Sequence, residues 1–182
     1  METTGTEPNS TPFPNIPPII ESDDREYRDS GVPSTVAIAG HPLHPLTIIF
    51  PIAFLAAALG SDFGYWLTND FFWARASLWL IGLGLLGGII AAITGMSDFL
   101  RIERVRKRTA GWTHLILNVM ILALTALNLI LRLGSPESRI LPWGFFLSLV
   151  VGTLTSITGW FGAELSYRHK IGVVGAGSRR YP

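Results

Sequence analysis

From Leu46 onward the chain is apolar in four long blocks, Leu46–Trp66, Phe72–Met96, Trp112–Leu131 and Leu141–Ala163, separated by short polar stretches. One helical crossing of hydrocarbon about 30 Å thick takes about 20 mostly apolar residues, and each block is that long. The pattern predicts four membrane-spanning helices. The links "TND" and "GSPESR" are short, so each joins antiparallel neighbours, while "SDFLRIERVRKRTAG" is longer and basic. The predicted fold is all-α: a polytopic membrane protein with an up-down-up-down four-helix transmembrane bundle. Pro51 should bend the first helix about one turn in, because its ring removes a backbone hydrogen bond.

Polar and small positions inside the blocks keep helical phase. On the third helix His114, Asn118, Thr125 and Asn128 fall on one face, and on the first so do His44, Thr47, Pro51, Ala58 and Asp62. Gly84, Gly88, Ala91 and Gly95 form a small-residue stripe on the second helix, and Gly152, Thr155, Gly159 and Gly162 do so on the fourth. Small residues let membrane helices approach, and polar ones avoid lipid by facing the bundle interior. His44 and His114 are therefore expected to look inward at similar depth from diagonal helices.

Composition changes this picture at the ends. The 182 residues are 48% hydrophobic and 15% charged, yet residues 1–35 are rich in Pro, Ser and Thr and then acidic, with too little apolar surface to offset ordering entropy. The expected organisation is a disordered tail at 1–38, a membrane domain at 39–170 and a flexible basic tail at 171–182. The start has no basic n-region and its apolar residues are broken by proline, so the first crossing is expected to serve as the insertion signal. Arg101, Arg104, Arg106, Lys107, Arg108, Arg168, Lys170, Arg179 and Arg180 fall on one side, against Arg75, Arg132 and Arg139 on the other. The positive-inside rule then predicts a multi-pass protein with both termini cytoplasmic, as in a bacterial inner membrane or its equivalent.

The candidate chemistry is carried by histidine. The chain has no cysteine, which excludes disulfides, thiolate metal sites and CxxCH haem attachment. All four histidines (His41, His44, His114 and His169) are expected at one rim, with Asp98 and Glu164. Three readings are open: a structural polar rim; a b-type haem with His44 (or His41) and His114 as axial ligands; and a non-haem metal held by His41, His44, His114 and His169 or Glu164. Asp62 and Arg75, near the opposite boundary, are expected to pair across the first hairpin, since a membrane-buried charge is costly unpaired. No nucleophile motif such as GxSxG is present, and "GLGLLGG" lies inside a span, where glycine serves packing. The basic middle loop interleaves with Ile102 and Val105, a pattern suited to anionic lipid rather than nucleic acid.

The lead-in "HPLHPLTIIFPIAF" and the closing "GWFGAELSYRHKIGV" resemble the signatures of the domain of unknown function 2231 family of membrane proteins, over roughly residues 39–175. Pro45 and Leu46 follow His44, and Lys170 stands where the family pattern has glycine. The resemblance implies a compact four-helix protein and marks His41, His44, Gly159, Trp160, Glu164, Arg168 and His169 as family-like. It also implies redox work, because related domains occur beside Rieske-type or cytochrome c-type modules. The functional expectation is a small membrane component of electron transfer, not an enzyme on its own, in contact with the bilayer and a larger redox, photosynthetic or respiratory complex. The alternative is a non-enzymatic membrane scaffold or accessory subunit with a structural histidine rim.

Overall fold

The structure is a computed structural model that describes residues 31–175. Four long helices carry it: α1 (Leu43–Thr68), α2 (Phe71–Arg101), α3 (Thr109–Arg132) and α4 (Pro136–Arg168), each long and apolar enough to cross a membrane. Each outruns its apolar block at both ends, since helical hydrogen bonding continues into the polar residues that flank a span. Along α1 the helix is interrupted at Ile48, between Leu43–Thr47 and Ile49–Thr68. The break comes just ahead of Pro51, the residue with no amide to donate back. Between α1 and α2, Asn69 takes the left-handed conformation (φ 52°) and the Asp70 carboxylate accepts from the Phe72 amide at 2.9 Å. That turn ends one helix and caps the next.

The helices pack as a ring, α1 on α2, α2 on α3, α3 on α4 and α4 back on α1. Glycines of α2 set the close approach. A Cβ on Gly84 would lie 2.7 Å from a Leu55 methyl, and one on Gly88 would lie 2.8 Å from a Leu122 methyl. On α4 the expected stripe holds at Gly152 and Gly162, but Gly159 has open space around it and Thr158 is the buried residue. The apolar interior is slim, with Leu55, Ile121 and Val151 at its centre. Large apolar side chains such as Ile49, Phe50, Trp79, Ile93 and Ile130 point outward instead. A continuous apolar exterior of this kind suits hydrocarbon and not water.

A small cap closes one end. β1 (Val32–Ser34) pairs in parallel with β4 (Ile171–Gly175), and β2 (Ala37–Ile38) forms a hairpin with β3 (His41–Pro42) through the positive-φ pair Ala39 and Gly40. Asp98, at the end of α2, ties the cap down by accepting from the Ser34 hydroxyl (2.7 Å), the Thr35 amide (2.6 Å) and the Thr35 hydroxyl (2.7 Å). Beneath it Phe99, Ile102, Val105, Ala110, Leu165 and Ile171 form a second apolar cluster. Within the ranges expected as tails, strand pairing and the Asp98 carboxylate order residues 32–38 and 171–175. The remainder of both expected tails lies outside the described residues.

Candidate functional site

Two polar layers cross the bundle, one at each end of α1 and α3. In the first, each helix contributes. Arg132 of α3, fully buried, donates from Nη1 and Nη2 to the two oxygens of Asp62 on α1, at 2.7 Å each. Its remaining donors reach Ser77 of α2 (2.8 Å), Ser148 of α4 (3.1 Å) and Asn128 of its own helix (2.8 Å). All five guanidinium N–H groups are therefore satisfied, the condition on which a charge is tolerated out of water. Ser77 also donates to the Asp62 carboxylate, and Asn128 donates to Ser148 at 3.0 Å. Gly144 makes the space: a Cβ there would sit 2.9 Å from Arg132 Nε.

The expected Asp62–Arg75 pair is therefore corrected. Arg75 is exposed, with its guanidinium 5.7 Å from the centre of the Phe71 ring, whereas Asp62 turns into the bundle toward Arg132. A carboxylate inside a membrane bundle takes the partner that can be desolvated with it. Arg132, which the sequence pattern counts with Arg75 and Arg139 on one side of the membrane, is the partner buried with it.

The second layer holds the histidines. His44 of α1 and His114 of α3 face each other with ring centroids 6.3 Å apart and ring planes at 87°. Each is anchored to the next helix in the same way. His44 Nδ1 donates to the Ala91 carbonyl of α2 at 2.9 Å, and His114 Nδ1 donates to the Thr158 carbonyl of α4 at 2.9 Å. A carbonyl only accepts, so Nδ1 carries the proton, and Nε2 of a neutral ring keeps its lone pair. Each ring also lies on a glycine: a Cβ on Gly95 would be 2.8 Å from His44 Cε1, and one on Gly162 would be 3.0 Å from His114 Cε1. Thr94 donates to the Ala91 carbonyl at 2.9 Å, and Asn118 donates to the Thr158 hydroxyl at 2.9 Å and to the His114 carbonyl at 2.7 Å. These contacts orient both imidazoles toward the interior of the bundle.

The other expected ligands do not join them. His41 sits exposed in the β2–β3 hairpin with Nδ1 on the Ala39 carbonyl at 3.0 Å. His169 is buried beyond α4, with Nε2 3.8 Å from a Glu164 oxygen, and Arg168 lies 3.8 Å from the same oxygen. Among the described residues no three His, Asp or Glu side chains gather at metal-binding spacing. The expected set of five metal ligands thus resolves into a facing pair, an exposed hairpin residue and a separate ion-paired end of α4.

The two layers repeat one plan. His44 precedes Asp62 by 18 residues, and His114 precedes Arg132 by 18. Eighteen residues make five helical turns and about 27 Å, so both members of each pair share a face and lie near opposite boundaries of the hydrocarbon. The two pairs are offset by 70 positions, and the buried residues Pro51, Leu55, Ala58 and Asp62 fall at the same offset from Ile121, Thr125, Asn128 and Arg132. α1 and α3 run in the same direction, since His44 meets His114 at one end and Asp62 meets Arg132 at the other. That offset was the signal available for pairing Asp62 with Arg132.

No curated protein and no solved structure matches the chain. Residues 40–175 match the family described as predicted membrane protein (DUF2231), a span running from the glycine before His41 to the end of β4 and so holding both polar layers. The protein belongs to the DUF2231 family of membrane proteins.

Proposed function

We propose that His44 and His114 are the paired axial ligands of one b-type haem, and that the protein is a small electron-transfer component of its membrane. The observation that carries this reading is the facing pair itself. Two imidazoles that would hold one haem must bring their rings close enough to share its metal. The ring centroids of His44 and His114 stand 6.3 Å apart. Both Nδ1 atoms are engaged by backbone carbonyls, which is the outer contact that orients a ligating histidine and leaves Nε2 as the donor.

The donor count favours haem over a bare ion. With no third His, Asp or Glu side chain gathered here among the described residues, an ion would draw two protein ligands only. A haem would bring ring nitrogens of its own and would be held by His44 and His114, and when bound it would supply one-electron redox chemistry. The chain's part is to hold and shield. Ala91 and Thr158 orient the rings, Gly95 and Gly162 make room for them, Asn118 steadies Thr158, and the cap tied down by Asp98 covers this end of the bundle.

The test is the absorbance spectrum of protein purified after expression with haem supply. A Soret band that sharpens and shifts on reduction is expected, at one haem per chain. His44→Ala and His114→Ala should each abolish it while the helical circular-dichroism signal persists. A folded protein that stays featureless through haem titration overturns the proposal and leaves the pair as a helix-packing contact.

A further inference from the structure

His44 and His114 share one kind of carbonyl seat but differ in the backbone that carries them. His114 lies within the unbroken helix Thr109–Arg132. His44 lies in the five-residue helix Leu43–Thr47, set off from the rest of α1 by the interruption at Ile48. Proline accounts for the difference. Pro45 has no amide to donate within that turn, and Pro51 has none to offer the Thr47 carbonyl four residues ahead of it. The turn is joined to the rest of α1 by the Ile48 amide, which donates to the His44 carbonyl at 3.1 Å. It is closed by the Thr47 hydroxyl, 3.0 Å from both the Leu43 and the His44 carbonyl.

The side-chain surroundings differ in the same sense. The Thr158 hydroxyl stands 3.1 Å from His114 Nδ1, and Asn118 donates to that hydroxyl at 2.9 Å and to the His114 carbonyl at 2.7 Å. Ring and backbone of His114 are thus held by one network spanning α3 and α4. The Thr94 hydroxyl is 3.5 Å from His44 Nδ1 and donates at 2.9 Å to the Ala91 carbonyl, so His44 shares its acceptor with a second donor. The position 70 residues before Asn118 is Ile48, which has no side-chain donor. A metal-ligating imidazole gains donor strength from the acceptor on its other nitrogen, so His114 is the firmer ligand of the two.

We infer, resting on the haem reading above, that His44 is an exchangeable ligand: a small neutral diatomic takes its place on ferrous haem while His114 stays bound. The exchange is redox-neutral. The bond from iron to His44 Nε2 breaks, its electron pair stays with the imidazole, and a bond from iron to the incoming ligand forms. His44 moves away with the Leu43–Thr47 turn, about the interruption at Ile48.

The probe is carbon monoxide, added to the full chain loaded with haem and reduced by dithionite. Wild type should bind it at a rate that saturates with carbon monoxide concentration, because release of His44 is limiting. Thr47→Val removes the hydroxyl that closes the turn and should raise the limiting rate about fivefold, the worth of one net hydrogen bond. Pro51→Ala restores the amide facing the Thr47 carbonyl and should lower that rate by a similar factor. If Pro51→Ala fails to load haem, Thr47→Val carries the rate test. Thr158→Val should shift the iron–carbon stretching band in the resonance Raman spectrum, since His114 lies opposite the bound gas, whereas Thr94→Val should leave that band in place.

A Soret band that shifts on reduction but ignores carbon monoxide overturns this inference and leaves the haem reading standing. So does a limiting rate that Thr47→Val does not raise, or a stretching band that moves with Thr94→Val and not with Thr158→Val. Absence of any Soret band overturns both.

Discussion

Removing one partner of the Asp62–Arg132 pair should be among the costliest single changes available in this chain. Both side chains are fully buried and joined by two bonds of 2.7 Å. Arg132→Met leaves a dehydrated carboxylate with the Ser77 hydroxyl as its remaining donor, and Asp62→Leu leaves a dehydrated guanidinium. Truncating one side of a buried ion pair costs about 3–5 kcal/mol, because the other charge stays behind uncompensated. Replacing both sides removes the desolvation burden along with the attraction, so Asp62→Leu/Arg132→Met should fall within about 1 kcal/mol of wild type. The coupling energy of the cycle is then about 3 kcal/mol or larger, far above the tenths expected of independent sites. Reversible unfolding in mixed micelles against sodium dodecyl sulfate, followed by circular dichroism, measures each corner. Arg75→Gln is the internal control, expected to shift stability by no more than about 0.5 kcal/mol because that side chain is exposed. Additive single changes, or a large effect of Arg75→Gln, would refute the assignment of Arg132 as the partner of Asp62.

Two further outcomes follow from the packing. Gly95→Ala and Gly162→Ala each place a methyl group within about 3 Å of a histidine ring and should lower both melting temperature and haem retention. Gly159→Ala meets nothing within 4 Å and should be neutral or stabilising by up to about 1 kcal/mol, so equal effects at all three glycines would count against the ring seats. Thr125 buries a hydroxyl with no hydrogen-bond partner among the described residues. Thr125→Val keeps the shape and removes that orphaned group, so it should raise stability by about 1 kcal/mol in the same unfolding assay; a loss of stability would show that the hydroxyl is satisfied in the membrane.

What the amino-acid order determined by itself is what depends on local period and length. Runs of about 20 apolar residues demand helical crossings, because no backbone polar group can be left unpaired in hydrocarbon. The spacing of His44, Pro51, Ala58 and Asp62, and of His114, Thr125 and Asn128, places each set on one helix face, and those faces do turn inward. Helical phase says which way a side chain points along its own helix. It carries no information on which residue of another helix stands opposite at the same depth. That is why closeness in sequence pairs Asp62 with Arg75 rather than with Arg132, 70 positions away, and why His41 and His44 are equivalent in the linear pattern. Only the tertiary structure separates them: the positive-φ turn at Ala39 and Gly40 carries His41 out into a hairpin, while the helix that begins at Leu43 carries His44 across to His114. Contacts between distant segments are decided by how four helices pack together, and Gly84 and Gly88 allow that packing at distances no linear pattern states.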